Sequence, residues 1–329
     1  MPKISIDDIA TTAKTALIKH GADQAIALHV ARAVAQAESV GNRICGLYYL
    51  ESYCVQLQSG RVRGDVTPAV SQPKPGVVHV DAKFGFAQPA FAAGLPAALA
   101  AARQNGVVSL GIGHAHTCTS LGYFTQQIAE HGMIGLGFTN ASPIVAPPGG
   151  KARTIGTNPI AFSVPDGRGG VALQFDQSTT VVALGKITMA KAAGEKIPLG
   201  WALDSEGRPT TDPDAALAGS LVSIGGYKGW GFGVMGELLA AGMAGGILSR
   251  DVKPLKAADG APHDLGQYYI LIDPGQGHAF SERLEALAEI VAQEPGTRLP
   301  GQNKKPNQTV DIPEALWALS LGLAADKLF

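Results

Sequence analysis

Gly156-Thr157-Asn158-Pro159 stands directly before the apolar run 160–164, and a second apolar run, 171–175, leads into Asp176-Gln177-Ser178-Thr179. Glycine frees φ, proline fixes it, and Thr and Asn side chains can bond the backbone or a ligand. A rigid polar turn of this kind belongs at the edge of a buried sheet, where it can hold a small anion.

The rest of the chain alternates around that turn. Ser5 with Asp8 reads as a helix start, and the helical spacing that follows ends at Gly21. Helices are expected over 23–40 and 47–58, so the first sixty residues are helical. Strands follow at 77–80, 107–112, 133–138, 160–164, 171–175 and 267–272. Helices are expected over 89–102, 119–130, 180–193 and 281–293. The run 201–212 reads as a polar loop. A glycine-dense loop at 225–233 leads into an apolar helix ending near Gly245-Gly246. Mixed strands and helices imply an α/β fold.

Composition excludes several classes. Apolar residues make up 46% and charged residues 16% of 329 residues, and 26 basic residues meet 27 acidic ones. No basic face is implied, so nucleic acid is not an expected partner. The start, Met1 to Ser5, lacks the basic-then-apolar pattern of a signal peptide. No apolar run approaches the ~20 residues of a membrane span. Cys45, Cys54 and Cys118 form neither a CxxC pair nor an even set. No metal site or disulfide framework is expected, and a reducing cytoplasm is the simplest compartment.

Gly111-Ile112-Gly113 follows a strand, but His114-Ala115-His116 comes next and no acidic residue suits the ribose role, which disfavours a Rossmann fold. Gly225-Gly226-Tyr227-Lys228-Gly229 allows two readings: backbone N–H groups converging on an anion with Lys228 adding charge, or tight packing of a helix on a sheet. His116, with Thr117, Thr119 and Ser120, offers polar groups at a helix start, with Cys118 among them. Cys45 reads as a small buried residue or, beside Arg43 at a helix start, as an acid–base group. Asp176 reads as a helix cap or a ligand contact.

Taken together, the segments His116 to Phe124, Pro147 to Gly150, Gly156 to Phe162, Phe175 to Thr179, Gly185-Lys186, Gly200 to Asp204, Pro209 to Pro213, Gly225 to Gly229 and Arg298 to Gly301 resemble the malate/L-lactate dehydrogenase-like oxidoreductases. They occur in that family's order and cover nearly the whole chain. The resemblance implies an NAD- or NADP-dependent homodimer with a non-Rossmann, largely antiparallel cofactor domain beside a helical N-terminal region. A helical substrate and dimer region at 1–112, completed by 300–329, and a cofactor domain at 113–299 are expected. It further implies that Thr157 contacts the substrate carboxylate. His116, Thr117, Cys118, Thr119, Ser120, Asp176, Gln177, Ser178, Tyr227, Lys228, Arg298, Leu299, Pro300 and Gly301 would line the cofactor.

The chain departs from the family at its catalytic motif. Ile44-Cys45-Gly46-Leu47-Tyr48-Tyr49 stands where many members carry Ser-His-Gly-x-x-Arg, so Cys45 and Tyr49 replace the family's proton donor and its carboxylate-holding Arg. A donor would have to be Cys45, Tyr49, Tyr48, His116 or a water. A protonated cyclic imine already carries its proton. This favours reduction of a small cyclic 2-imino acid (a ketimine) of the pyrroline- or piperideine-2-carboxylate type, as does the segment Gly85 to Ala90. Lys186 points the other way, standing where some imine reductases carry an acid. A 2-hydroxy acid dehydrogenase of the malate, lactate or ureidoglycolate kind is the second reading, and an inactive nucleotide-binding homologue the third.

Overall fold

The computed structural model describes residues 1–275, 279–302 and 305–325. The chain opens with β1 (Lys3–Ser5), α1 (Ile6–Lys19), α2 (Gln24–Ser39), 3-10 turns at Arg43–Cys45 and Leu47–Tyr49, and α3 (Leu50–Ser59). It continues through β2 (Ala69–Lys74), β3 (Val77–Asp81), α4 (Ala87–Asn105), β4 (Val107–Ala115), α5 (Gly122–Glu130), β5 (Ile134–Thr139), β6 (Ile160–Pro165) and β7 (Val171–Gln177). Next come α6 (Leu184–Ala193), β8 (Ala202–Leu203), β9 (Pro209–Thr210), α7 (Pro213–Ala218), β10 (Ser220–Leu221) and α8 (Tyr227–Glu237), which runs into a π-helical stretch, Leu238–Met243. The chain closes with β11 (Leu265–Ile272), α9 (Ala279–Ala292), β12 (Thr309–Asp311) and α10 (Glu314–Ala324).

Three hydrophobic cores organise these elements. The first lies against a seven-stranded sheet of order β2-β3-β4-β11-β5-β6-β7, antiparallel except for β3 and β4. There α4 and α5 pack Phe91 and Phe124 on Tyr269, edge to face for Phe91. Aromatic pairs of this kind add about 0.5–1.5 kcal/mol beyond their burial. The second core joins α1, α2, α3 and α10, with β1 paired to β12. The third gathers α6, α7 and the small sheet β10-β8-β9.

The helical start, the mixed α/β class and the predominantly antiparallel sheet agree with expectation. Ser5 caps α1, its hydroxyl accepting from the Asp8 amide at 3.0 Å. Other boundaries moved for local reasons. The helix expected from 119 begins at Gly122, because Thr119 has φ +60° and breaks the helical path. The helix expected from 180 begins at Leu184. The glycine loop expected over 225–233 is helical from Tyr227, and only Gly225 and Gly226, both at positive φ, form the turn. Strand β2 was not anticipated; it is exposed throughout, and Pro73 and Lys74 suit an edge strand. The expected boundary at 112/113 falls inside β4, and the sheet runs continuously across it. Residues 303–304 and 326–329 of the expected closing region lie outside the described residues.

Candidate active site

Several of the polar residues singled out in the sequence meet along the second half of β7 and just beyond it. Asp176 accepts from the Gly122 amide at 2.7 Å and from the Ser120 hydroxyl at 3.4 Å. It thus anchors the start of α5 from a distant segment, not the helix that follows it. A Cβ at Gly122 would lie 2.9 Å from that of Asp176, so only glycine admits this approach. Two residues earlier, the Gln174 amide donates to the Pro300 carbonyl at 3.0 Å, which staples Arg298, Leu299, Pro300 and Gly301 to the strand edge. Beyond Gln177, Ser178 bonds Thr180 at 2.8 Å. Thr179 donates from both its amide and its hydroxyl to the Thr157 carbonyl, each at 2.9 Å.

The Gly-Thr-Asn-Pro turn rests on α8. Asn158, at φ +31°, donates to the Gly233 carbonyl at 2.9 Å and to the Glu237 carboxylate at 2.7 Å. Gly233 faces Ile155 and Thr179, and Gly236 faces Asn158. The helical glycines are therefore packing devices, and the anion reading survives only at the helix entry. There no side chain caps α8, Gly226 has open space where a Cβ would point, and Lys228 adds charge. A helix entry with a cation beside it suits an anion.

The loop 43–49 faces this cluster. It stands on buried Glu38, which accepts from the Leu47 amide at 2.8 Å, and a Cβ at Gly46 would fall 2.2 Å from the Glu38 carboxylate. Asn42 links the loop to the α5 entry through Ser120, at 3.3 Å. Burial pushes the Cys45 thiol up to about 12, with the Asp176 charge acting the same way and Asn42 and Lys256 opposing. Burial likewise raises Tyr49 well above its ordinary value. Both side chains hold their protons tightly. Cys118 behaves alike, raised first by burial and then by Asp176 and Cys45.

The His114 and His116 pair divides. His114 bonds Asp264 at 2.7 Å on the surface, whereas His116 is buried and stacks on His263 with ring centroids 3.9 Å apart. Gln56 fixes the tautomer. Its amide nitrogen donates to the carbonyls of Leu255 and Ala257, so its oxygen accepts from His116 Nε2 at 2.6 Å. Burial, with the nearby His263 and Arg61, drives the His116 pKa well below 6.5. A neutral imidazole has no ready proton to give, so of the expected donors His116 is the least suited. Tyr53 closes the space between, reaching Thr119 at 3.5 Å. Among the described residues, no group of three or more His, Cys, Asp or Glu side chains could hold a metal ion.

Sequence reasoning missed Glu38, Gln56, Arg61, Lys256 and His263. Lys256 Nζ donates to the Tyr48 carbonyl at 2.9 Å and lies 3.2 Å from the Tyr48 ring centroid and 4.4 Å from that of Tyr49. Lys186 follows Gly185, which packs against Ile44 of the loop 43–49, and lines a cleft of about 420 Å³ with Met189, Lys196 and Trp201.

The fold and site define an enzyme whose polar centre lies at the end of an antiparallel sheet, not in a Rossmann crevice. The chain belongs to the malate/L-lactate dehydrogenase family, whose sequence model matches residues 4–317, and it is an oxidoreductase. The (2R)-3-sulfolactate dehydrogenase (NADP(+)) of Chromohalobacter salexigens is 39% identical over 319 residues, 95% of each chain. The Delta(1)-pyrroline-2-carboxylate reductase of Ancylobacter novellus is 36% identical over 327 residues, 96% of each chain. In three dimensions, the delta1-piperideine-2-carboxylate reductase of Pseudomonas syringae pvar. tomato matches with a TM-score of 0.91 at 32% identity, over 98% of this chain and 100% of that one. The resemblance carried by the motifs is thereby confirmed.

Proposed function

We propose that the protein is an NADPH-dependent reductase of a small cyclic 2-imino acid of the pyrroline- or piperideine-2-carboxylate type. The observation that carries this reading is the chemistry of positions 45 and 49: a half-buried thiol and phenol, whose pKa values burial raises further from neutrality. A 2-oxo acid needs a proton as its carbonyl becomes an alkoxide, and a general acid works best with a pKa near the operating pH. A protonated imine makes no such demand. Relatives at 36% identity bearing the pyrroline-2-carboxylate reductase name agree with it.

The bound nicotinamide would supply the hydride. Lys228 at the α8 entry, the α5 start from Cys118 to Ser120, Asp176 to Ser178, and the Arg298-to-Gly301 loop would hold the cofactor, with Tyr227 beside it. Thr157, stationed by Thr179 and Asn158, would face the substrate carboxylate. Tyr48, Tyr49 and Cys45 would shape the opposite wall and exclude water. One observation favours a second reading, a 2-hydroxy acid dehydrogenase: Lys256, beside the Tyr49 ring, is lowered by burial to about 8, an acid strength suited to donating a proton.

The assembly is proposed to be a homodimer. Tyr227, Phe232, Met235, Leu238 and Met243 expose an apolar stripe along α8 and its π-helical extension, with Gly231 and Gly242 leaving room for close approach. Patches of this kind on otherwise soluble chains mark association surfaces. Three free cysteines suit a reducing cytoplasm, and no described helix is long and apolar enough to cross a membrane.

The test is a substrate panel read by the absorbance of reduced nicotinamide. Pyrroline- and piperideine-2-carboxylate should be reduced with NADPH far faster than pyruvate or oxaloacetate. Turnover confined to the oxo acids would overturn the imine reading.

A further inference from the structure

The segment 254–263 is a strap fastened by side chains. Arg61, only 1% exposed, donates to the carbonyls of Pro254 at 2.9 Å, Ala257 at 2.7 Å and Ala261 at 3.1 Å. Gln56 donates to Leu255 at 2.9 Å and Ala257 at 2.7 Å, and Ser59 to Ala258 at 2.7 Å. A fully buried guanidinium spent on three backbone carbonyls fixes the path of this strap. From it His263 reaches inward to His116, and Lys256 leans over the loop 43–49.

Lys256 is held from two sides. The Tyr48 carbonyl takes one N–H, and the Tyr48 and Tyr49 rings present their faces to the ammonium. Cation–ring attraction of this kind helps to hold the ammonium in place. An ammonium has three donors; the carbonyl takes one, and the others meet ring faces, which are weaker acceptors than a carboxylate. No described carboxylate forms an ion pair with Lys256; Glu51 acts on it only through the field, and it in turn acts on Cys45. Arg43, the other cation of this loop, is engaged electrostatically with Glu38 beneath.

We infer that Lys256 is the carboxylate-binding cation of this site, carried in on the strap and aimed by Tyr48 and Tyr49. A substrate carboxylate bound against the loop 43–49 loses water and needs a cationic partner. Positions 45 and 49 supply none, whereas Lys256 sits against both tyrosines. This assignment rests on the 2-imino acid reading only for the identity of the substrate, since a 2-oxo acid carries the same carboxylate. The groups facing Lys256 are Glu51, Cys45, Tyr48 and Tyr49. Burial holds its pKa down at about 8, so the anchor is charged at neutral pH and weakens in more alkaline solution.

The test compares wild type, Lys256→Met and Lys256→Arg in the full-length protein with NADPH. Kinetics are read on pyrroline-2-carboxylate and on pyruvate. Binding is read with pyrrole-2-carboxylate and its uncharged carboxamide as probes. Losing a charge-assisted hydrogen bond is worth about 1.5–3 kcal/mol, so Lys256→Met should raise KM for the turned-over substrate by roughly 10–100-fold. It should leave the KM for NADPH unchanged and change kcat at saturation by less than about 3-fold, with Lys256→Arg regaining part of the loss. In wild type the carboxylate probe should bind more tightly than the carboxamide, and in Lys256→Met that preference should vanish. The inference is overturned by an unchanged KM, by a preference for the carboxylate that survives in Lys256→Met, or by a fall in kcat at constant KM, which marks a proton donor. Turnover of pyruvate alone, with the KM effect and the probe preference as stated, sinks the imine reading and leaves Lys256 as the anchor.

Discussion

The two walls of the site are held by opposite means. On one side, the loop 43–49 and the strap 254–263 are fixed by long polar side chains reaching backbone groups: Glu38 to Leu47, Gln56 and Arg61 to the strap. On the other side, the Gly-Thr-Asn-Pro turn is tied to α8 through Asn158, and α8 carries Gly229, Gly233 and Gly236 where Ile224, Ile155, Thr179 and Asn158 approach closely. A wall hung on side-chain bonds can change its inward residues while its path stays put. A wall built on glycine contact has no such freedom. The departures at Cys45 and Tyr49 fall on the first wall and the motif residues around Thr157 on the second. On the proposed assignment, the difference separates a wall free to vary with the substrate from a fixed one.

Acid should strain the first wall most. Burial, with Arg61 nearby, holds the folded-state pKa of His263 down to about 3 and that of His116 well below 6.5. Both rings are therefore neutral in the native state, while the unfolded chain takes up protons below about 6.5. Stability is full above that value and falls as pH drops toward the folded-state values. His263 alone should cost roughly 2.5 kcal/mol between about pH 7.5 and 4.5, and His116 acts in the same direction. Denaturant midpoints across this range should show the loss, and His263→Asn should reduce it clearly. An undiminished slope in that variant would mean that the stacked pair is not the acid-sensitive element.

Arg61→Met should come next. It strands three strap carbonyls in a buried setting and should lower stability by about 2–3 kcal/mol, while raising substrate KM more than NADPH KM. A melting temperature and KM values equal to wild type would show that the strap holds itself. On the second wall, a Cβ at Gly229 would lie 2.0 Å from the Ile224 carbonyl. Gly229→Ala should therefore cost about 1–3 kcal/mol and weaken NADPH binding before substrate binding. If substrate KM alone rose, the assignment of walls would be reversed.

The glycine wall was largely legible in the sequence, because glycine and proline punctuate a chain locally and the turn before β6 has a single sensible reading. What misled was the run Gly225 to Gly233, where glycine density suggested a loop. There the glycines serve helix packing, which depends on Thr179, Ile155 and Asn158 from other segments. The side-chain wall was nearly silent. Lys256 and His263 lie in a stretch without periodicity, and their positions are set by Gln56 and Arg61, some two hundred residues earlier. Glu38 and Gly46 form a matched pair that only their contact reveals. Cys45 drew notice beside Arg43 at a helix start, and Tyr49 through resemblance alone; that burial raises both pKa values is encoded by no local pattern.

The central claim is that the proton of this reaction comes with the substrate and not from position 45. Its most direct test is kcat for pyrroline-2-carboxylate reduction by wild type and Cys45→Ala across about pH 6–9, with NADPH saturating. A lost general acid typically costs on the order of 10²–10⁴ in rate. The account predicts a kcat for Cys45→Ala within about 3-fold of wild type and a parallel pH profile. A fall of about 100-fold or more, with a changed profile, would contradict it.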